Sequence, residues 1–493
     1  MEPFTIDTIL PIASGALFTT QAVYYLGLYN KLYTHSRETA YATDINTQNP
    51  PLSVIIVAKD AAHELQENLP FILEQDYPEF EVIVIYDRPA DDCDNTLKLL
   101  EDKYPNLYHT FIPDSARYIS HKKLGITMGI KASRHEWLVF TEPDCRPQSN
   151  QWLKQMARNF TPATEIVLGY SNYEKVPGWF NKKITFDTLL NSMRYLGMAV
   201  SGHPYMGTGR NMAYRKTLYY KQKGFASHLN LQRGEDDLFI NETARAHNTR
   251  VEASPESLMR IAMPKYKRIW CEEKISYAAT SRLFHGTARY LMGFETCSRF
   301  LFYTAIIATI TTSILLHQWT IAGIAVLLWS ARFTMQLIVF RKTAQAFGER
   351  KFCALLPLFD FLQPAWNGVF KLQRKFRRKN EFMRKQKENE TNYTFLNLII
   401  RIMIRLNVFI QVNESNRNAV LETAKELVAQ SLNDKGCIAY DIFESATRKD
   451  VLMICETWKD AESLDAHEKA AHFITLVPKL QELGKMKLEK FEF

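Results

Sequence analysis

The stretch EWLVFTEPD, residues 136–144, decides the fold class of this chain. Its apolar run from Trp137 to Phe140 ends at two carboxylates, Glu142 and Asp144, that are one residue apart. A continuous apolar run is typical of a strand buried on both faces of a parallel sheet. Such sheets bind ligands beyond the carboxyl ends of their strands, so the two acids stand where a ligand site is expected.

Two earlier segments repeat this pattern. LSVIIV (52–57) and EVIVIYD (81–87) are apolar runs, and the second one ends at another carboxylate, Asp87. Between them, apolar residues recur at helical spacing from Leu65 to Leu73. Alternating strands and helices predict an α/β domain built on a parallel sheet.

The acids at these strand ends repel one another at close range unless a cation joins them. Carboxylate oxygens are hard ligands that suit Mg²⁺ or Mn²⁺, and these ions commonly link protein carboxylates to phosphates. Acids at strand ends are also common as solvated loop residues. The spacing of Glu142 and Asp144 alone therefore leaves both interpretations open.

Two longer segments carry a resemblance to a known family. PPLSVIIVAKDAAHELQENLPFILEQDYPEFEVIVIYD (50–87) and HKKLGITMGIKASRHEWLVFTEPDCRP (121–147) resemble the family-2 glycosyltransferases, which have the GT-A fold. The likeness extends over roughly residues 50–295 and consists of several motifs in the same order.

The resemblance implies roles for five residues. Glu142 and Asp144 occupy the places of the D-x-D acids that bind a divalent cation, Mn²⁺ or Mg²⁺, and through it the diphosphate of a nucleotide-sugar. Asp87 matches the acid that contacts the base or ribose of the nucleotide, and Lys122 and Lys123 match a basic pair near it. The chain departs from the family at Glu142, where an Asp is usual.

The segment GEDD (234–237) matches the E-D pair of the family on Glu235 and Asp236. In that family the Asp is the general base of an inverting transfer, which takes the proton of the acceptor hydroxyl. We expect Asp236 to have this role, with Asp237 as the next candidate. Acids that open a helix also stabilise its N-terminal dipole, and this is the alternative interpretation.

The segment YKRIWCEEKISY (266–277) loosely resembles a membrane-proximal Q/R-x-x-R-W element of the family. Lys267, Arg268 and Trp270 could therefore stack on the acceptor or neutralise pyrophosphate. A basic helix lying at the membrane interface is an equal alternative.

Three apolar runs are long enough to span a bilayer: Ile9–Leu28, Phe300–Leu316 and Trp319–Phe340. Arg332, within the third run, is expected to face protein or to reach the interface. The basic residues that flank the runs are Lys31, Arg37, Arg299, Arg341 and Lys342. The positive-inside rule predicts a multi-pass protein of the cell inner (cytoplasmic) membrane, with its catalytic and C-terminal domains in the cytoplasm.

A basic run lies behind these segments. Nine Lys or Arg residues and one Glu between Lys371 and Lys387 account for the whole formal net charge of +8. Because no nucleic-acid-binding motif accompanies them, anionic lipid is the expected partner rather than nucleic acid. The seven cysteines show no C-x-x-C pair, which suggests reduced thiols in a cytosolic compartment.

The last ninety residues predict a separate α+β domain with the order strand, helix, two strands, helical turns and strand. The Gly436–Cys437 turn and ETWKDAESLDAHEKAAHF (456–473) resemble the antibiotic-biosynthesis-monooxygenase-like domains, which are dimeric ferredoxin-like barrels. The resemblance implies that His467 and His472 line a cavity and that the chain could form a homodimer. Helix capping and packing are the alternative roles of the two histidines.

We therefore predict an α/β GT-A nucleotide-sugar-binding domain with N-terminal and C-terminal transmembrane helices, followed by a ferredoxin-like dimeric barrel. The predicted segments are an anchor and linker (1–49), a glycosyltransferase domain (50–295), a transmembrane hairpin (296–342), an interfacial segment with a basic linker (343–400) and the monooxygenase-like domain (401–493). The predicted function is inverting, metal-dependent sugar transfer from a nucleotide-sugar to a lipid-linked or glycan acceptor. In the alternative, the C-terminal domain is a cofactor-independent quinol-type monooxygenase, or a dimerisation or regulatory module.

Overall fold

A computed structural model describes residues 6–41, 49–87, 93–113, 120–376, 404–445 and 447–492. The chain divides into two units, residues 1–385 and residues 386–493. The part of the predicted basic run from residue 377 to residue 387 lies outside the described residues.

The first unit contains a large and a small sheet. Its described strands are β1 (Leu52–Ala58), β2 (Phe80–Tyr86), β3 (Leu107–Phe111), β4 (Trp137–Thr141), β5 (Cys145–Pro147), β6 (Ile166–Gly169), β7 (Ser171–Tyr173), β8 (Met212–Arg215), β9 (Thr249–Glu252) and β10 (Met259–Ile261). The large sheet has the order β3-β2-β1-β4-β8-β6-β9, and the small sheet has the order β5-β10-β7. In the large sheet β8 runs antiparallel to β4 and β6, and the other neighbouring pairs are parallel.

The strands β1, β2 and β4 are the three apolar runs recognised in the sequence, and the α/β class is confirmed. From β1 the chain continues to β2 on one side, whereas β4 pairs with β1 on the other side. The order of the strands therefore reverses between β1 and β4, which makes the carboxyl ends of these strands the topological switch point. Glu142 and Asp144 directly follow β4 at this point.

Helices cover both faces of the large sheet. The described helices of the first unit are α1 (Ile6–Val23), α2 (Asn30–Tyr41), α3 (Ala62–Leu73), α4 (Cys93–Glu101), α5 (His121–Ala132), α6 (Trp152–Ala157), α7 (Trp179–Val200), α8 (Lys216–Lys221), α9 (Asp237–Thr243), α10 (Lys267–Thr280), α11 (Ala288–Leu315), α12 (Trp319–Ala346) and α13 (Leu356–Phe376). The helix α5 lies close to β1, because a Cβ atom on Gly129 would stand 2.7 Å from Ile55 Cγ2. This close packing sets the N-terminus of α5, with Lys122 and Lys123, at the switch point.

The second unit is an antiparallel four-stranded sheet with helices. Its strands are β11 (Ile404–Val412), β12 (Cys437–Glu444), β13 (Val451–Trp458) and β14 (Gly484–Glu492), and its helices are α14 (Arg417–Ser431), α15 (Ala461–Glu468) and α16 (Ala471–Leu483). The sheet order is β12-β13-β11-β14. This order of elements along the chain confirms the predicted ferredoxin-like α+β domain.

Three described helical stretches are long and apolar enough to cross a membrane: Ile9–Thr39, Ala288–Leu315 and Trp319–Ala346. They cover the three runs predicted from the sequence except Leu316, and the second helix begins twelve residues earlier than the predicted run. The first stretch contains a π-helical segment, Tyr24–Tyr29, between α1 and α2.

Two arginines of these helices form ion pairs with one carboxylate on α13. Asp360 accepts hydrogen bonds from Arg299 Nη1 at 3.0 Å and from Arg332 Nη2 at 2.8 Å, and the Tyr303 hydroxyl donates to it at 2.8 Å. All three charged side chains are buried, so Arg332 faces protein as the sequence predicts. A buried cation is tolerated only when it is paired and hydrogen-bonded, which makes Asp360 the residue that joins α11, α12 and α13.

Replacing Asp360 by Asn should therefore destabilise the first unit. The amide keeps the size of the side chain but leaves Arg299 and Arg332 without their shared carboxylate, a change that typically costs roughly 3–5 kcal/mol. Thermal unfolding of the detergent-solubilised protein measures the effect, and the exposed Asp102→Asn serves as the control. Equal unfolding temperatures for the two variants would show that Asp360 does not hold these helices together.

Candidate functional site

The tip that carries Glu142 and Asp144 is fixed by hydrogen bonds on several sides. Asn68 Nδ2 donates to the Pro143 carbonyl at 3.0 Å, and the Ala262 amide donates to the Asp144 carbonyl at 2.7 Å. The next residues form β5, which pairs with β10. The two carboxylates are therefore presented by a rigid tip.

Glu142 is paired with two cations. Lys122 Nζ lies 2.5 Å from Glu142 Oε1, and Arg210 Nε lies 3.0 Å from Oε2. Desolvation by itself would raise the pKa of Glu142, but Lys122 and Arg210 reverse this and hold the pKa well below its ordinary value. Glu142 is therefore ionised and charge-compensated.

Asp144 has a different environment. Among the described residues, no Lys or Arg nitrogen lies within 4.0 Å of its carboxylate, and Cys145 Sγ approaches Oδ1 at 3.4 Å. Desolvation raises the pKa of Asp144 to about 6, although Arg210 opposes the shift. A desolvated carboxylate without a direct counter-charge gains most from a bound cation.

Arg210 links the tip to helix α10. Its Nη1 and Nη2 donate to the two carboxylate oxygens of Glu273 at 2.8 and 2.9 Å, while its Nε binds Glu142. The guanidinium also lies over the Tyr173 ring, 5.6 Å from its centroid. Only a planar guanidinium can bind one carboxylate with two nitrogens and a second carboxylate with the third.

The second acidic motif meets the first through Lys122 and Gly209. Lys122 Nζ lies 3.0 Å from Glu235 Oε1, so one ammonium group joins Glu142 to the E-D pair. A Cβ atom on Gly209 would stand 3.9 Å from Asp236 Oδ2 and 4.0 Å from Glu142 Oε1. The fold thus brings the residues of both predicted motifs to one site.

Asp236 is held as an ionisable carboxylate at the N-terminus of α9. Its Oδ1 accepts from the Asp237 amide at 2.7 Å, and its Oδ2 accepts from the Gly209 amide at 3.1 Å and from the Tyr277 hydroxyl at 3.0 Å. Desolvation and the neighbouring Glu235 raise the pKa of Asp236. A raised proton affinity is what a carboxylate needs to act as a general base near neutral pH.

Asp237 is engaged in structural contacts. Its carboxylate accepts hydrogen bonds from the Thr280 hydroxyl and from the Leu238 amide, the latter at 2.8 Å, and its side chain is buried. Desolvation and Asp236 raise the pKa of Asp237 well above its ordinary value. It lines, together with Asp236, a narrow crevice whose other wall is helix α10.

Asp87 is buried beyond the carboxyl end of β2, beside two basic side chains. His121 Nδ1 is hydrogen-bonded to Oδ1, and Lys59 Nζ lies 3.5 Å from Oδ2. Desolvation would raise the pKa of Asp87, but His121 and Lys59 lower it below its ordinary value. Asp87 is therefore ionised, and His121 holds the orientation of its carboxylate.

The remaining predicted residues, Lys123, Lys267, Arg268 and Trp270, have different environments. Lys123 is buried, and its ammonium donates to the carbonyls of His228 at 2.6 Å and Leu231 at 2.9 Å. Desolvation lowers the pKa of Lys123 to about 8. Lys123 thus fastens the loop before the E-D motif to α5.

Of the three residues predicted at the start of α10, Lys267 and Arg268 are exposed, whereas Trp270 is 1% exposed. The Trp270 ring packs edge-on against Phe180 and Phe370. Trp270 therefore fixes α10 to α7 and α13 and presents no free ring face in this structure.

Sequence reasoning missed Arg210, Glu273, Tyr277 and His121. Glu273 and Tyr277 are four residues apart, so the helical period of α10 places them on one face, and this signal was available. The pairing of Arg210 with Glu273 joins segments 63 residues apart and had no local signal. His121 directly precedes the predicted basic pair, and this adjacency is the signal that points to it.

In the second unit the structure brings His467 and His472 together, with a distance of 5.4 Å between the ring centroids. His467 is buried against Trp458 and Tyr440. The side chain of Asp434 lies between the two histidines.

Comparisons with protein families agree with these two units. The family model of glycosyl transferase family 21 matches residues 19–388, and the model of the antibiotic biosynthesis monooxygenases matches residues 403–479. The sequence alone suggested family 2, whereas the matching model is that of family 21. The glycosyltransferase and the fused monooxygenase-like domain are both confirmed.

Individual proteins match as well. The Bacillus subtilis protein YcnE is 35% identical over 81 residues, which are 16% of this chain and 85% of YcnE. A solved protein of unknown function from Bacteroides thetaiotaomicron is 65% identical, covering 19% of this chain and all of its own, with a TM-score of 0.19. The mannosyltransferase PcManGT from Pyrobaculum calidifontis covers 69% of this chain and 98% of its own at 17% identity, with a TM-score of 0.44.

The bridge from Arg210 to Glu273 should show a strong energetic coupling. In a double-mutant cycle with Arg210→Met and Glu273→Met, we expect a coupling energy of about 1.5–3 kcal/mol, the range of charged hydrogen bonds. The control cycle uses Arg146 and Glu174, whose side chains are 41% and 37% exposed, and should give about 0.2–1 kcal/mol. Chemical unfolding provides both values, and similar couplings in the two cycles would contradict the role of Arg210.

Proposed function

The chain belongs to glycosyl transferase family 21 and ends in a domain of the antibiotic biosynthesis monooxygenase family, and from this membership we propose an inverting sugar transfer that uses Asp236 as general base. The enzyme is a glycosyltransferase that uses a nucleotide-sugar donor. The observation that carries the proposal is the meeting of the E-x-D tip and the E-D pair around Lys122 and Gly209.

In an inverting transfer the acceptor oxygen attacks the anomeric carbon from the face opposite to the leaving diphosphate. The attacking hydroxyl must lose its proton to a carboxylate within hydrogen-bond reach. Asp236 is suited to this step, because its pKa is raised and its side chain lines the crevice along α10. The Tyr277 hydroxyl and the Gly209 amide hold Oδ2 in place.

The leaving group has to be stabilised on the other side of the sugar. Lys122 and Arg210 bring two positive charges to the tip, within reach of a diphosphate at the switch point. Asp87, with His121 beside it, is suited to the ribose or base of the nucleotide, as the resemblance implies. Each of these contacts orients the donor for attack from the Asp236 side.

Glu142 and Asp144 fit a divalent cation. Asp144 offers a desolvated carboxylate with no Lys or Arg nitrogen within 4.0 Å among the described residues, and a hard cation is the partner that such oxygens prefer. An Mn²⁺ or Mg²⁺ ion held there would offset the negative charge of the leaving diphosphate. Glu142 already binds Lys122 and Arg210, so Asp144 is the principal ligand.

We also place the catalytic unit on the cytoplasmic face of the cell's inner membrane, with a lipid-linked or membrane-bound glycan as acceptor. Supporting this, three described helical stretches can cross a membrane, and Lys31, Arg37, Arg341 and Lys342 lie toward the C-terminal ends of the first and third stretches, which the positive-inside rule assigns to the cytoplasm. Added nucleotide-sugar should react in inverted vesicles; reaction only in sealed right-side-out vesicles would contradict this orientation.

Asp236→Asn should reduce sugar transfer by roughly 10²–10⁴-fold, the usual contribution of a general base. Asp237→Asn is the matched control, because its amide can still bond to Thr280, and transfer should fall by less than about tenfold. Both variants are assayed in inverted vesicles with UDP-, GDP- and TDP-sugars. If Asp237→Asn were the more damaging change, or if Asp236→Asn retained full transfer, the base assignment would be wrong.

Removal of divalent cations should stop transfer, and added Mn²⁺ should restore it. In the Asp144→Asn variant, half-maximal activity should need at least about tenfold more Mn²⁺, equivalent to 1.4 kcal/mol of lost binding. The exposed Asp102→Asn should keep the wild-type dependence. Full activity in the presence of EDTA would rule out the cation at the E-x-D tip.

A further inference from the structure

The second unit holds a cluster of one carboxylate and two imidazoles. Asp434 follows α14, His467 lies in the last turn of α15, and His472 lies in the first turn of α16. Asp434 Oδ2 is 2.6 Å from His467 Nδ1 and 3.0 Å from His472 Nε2. Each of the three residues offers one potential ligand atom, and these three atoms all lie within 4.8 Å of one another.

Hydrogen bonds do not account for all of these contacts. His472 Nε2 approaches Asp434 Oδ2 without the alignment of a hydrogen bond, and among the described residues neither its Nε2 nor that of His467 has a hydrogen-bond partner. Buried polar atoms are rarely left unpaired, so the unpaired His472 Nε2, which faces Asp434, indicates an additional ligand, whereas the unpaired His467 Nε2 faces Glu456. Two atoms bound at adjacent positions of an octahedral ion, with bonds near 2.1 Å, are about 3.0 Å apart.

The surroundings hold the cluster in a defined orientation. The His467 side chain is completely buried, with its ring 4.4 Å from Trp458 and 4.8 Å from Phe473, measured between centroids. Glu456 Oε2 lies 3.7 Å from His467 Nε2 and accepts the Trp458 Nε1 hydrogen bond at 2.9 Å. An imidazole bound through one nitrogen commonly faces a carboxylate with the other, and Glu456 is placed for this contact.

We propose that Asp434, His467 and His472 form a binding site for one divalent transition-metal ion. Two imidazoles and one carboxylate are the ligand set that binds such ions while leaving further positions open. The ligand atoms come from the segment after α14, from α15 and from α16, so a bound ion would also tie these three helices together. This site is separate in the chain and in ligand type from the oxygen-rich E-x-D tip, and it does not depend on the proposed sugar transfer.

The test uses the full-length, detergent-solubilised protein with Co²⁺ as the probe. An Asp144→Asn background removes the principal ligand of the other cation site, so that the C-terminal cluster is measured alone. We expect one equivalent of Co²⁺ with visible d–d absorption bands. His472→Gln and Asp434→Asn should each abolish these bands, whereas Asp465→Asn, an exposed carboxylate on α15, should leave them unchanged.

A second measurement uses the Asp144→Asn protein in which Asp434, His467 and His472 are all retained. Its result therefore does not depend on whether the cluster variants fold. Pulsed EPR of the bound Co²⁺ should detect nitrogen couplings from two imidazoles. Absence of stoichiometric Co²⁺ binding, persistence of the bands in both cluster variants, or a spectrum without imidazole nitrogen would overturn the proposal.

Discussion

The catalytic unit depends on the compensation of carboxylates that the fold collects at one edge of a sheet. Asp87, Glu142, Glu235, Asp236 and Glu273 come from distant parts of the chain, and like charges at such short range would oppose folding. Lys122 and Arg210 compensate three of these acids through four direct ion pairs: Lys122 with Glu142 and Glu235, and Arg210 with Glu142 and Glu273. Unlike Glu142, Asp144 has no such Lys or Arg partner among the described residues, and this difference supports Asp144 as the proposed cation ligand.

The strands and the acids of this site could be predicted from the sequence, whereas contacts between distant segments, such as that of Arg210 with Glu273, could not. Continuous apolar runs located β1, β2 and β4, and the last two of these runs end in acids, because burial on both faces leaves an unmistakable composition. In the second unit the predicted order of strand, helix, two strands, helical turns and strand is the order found from β11 to β14. The contact of Arg210 with Glu273 could not be predicted, since it depends on how α10 crosses the sheet edge. Trp270 is buried against Phe180 and Phe370, and its role at the acceptor or pyrophosphate, one of two alternatives from the sequence, stays a prediction.

Buried charges are also paired in the helices that can cross a membrane. Arg299 and Arg332 would be costly inside apolar helices, and Asp360 on α13 removes this cost. The neighbouring Gln363 bonds to both Arg299 and Asp187, so one polar network connects α13 with α11 and α7. The helices that can cross a membrane are thereby coupled to the unit that carries the acids. The monooxygenase activity or dimerisation of the C-terminal domain stays a prediction.

The anomeric configuration of the product tests the central claim most directly. With Asp236 as the proposed single base, we expect one displacement at the anomeric carbon, which gives the product the configuration opposite to that of the donor. NMR of the isolated glycoside, through the coupling between H1 and H2 or between C1 and H1, gives this configuration. Inversion is the predicted result, and retention would contradict the account, because it requires a second nucleophilic step at this site.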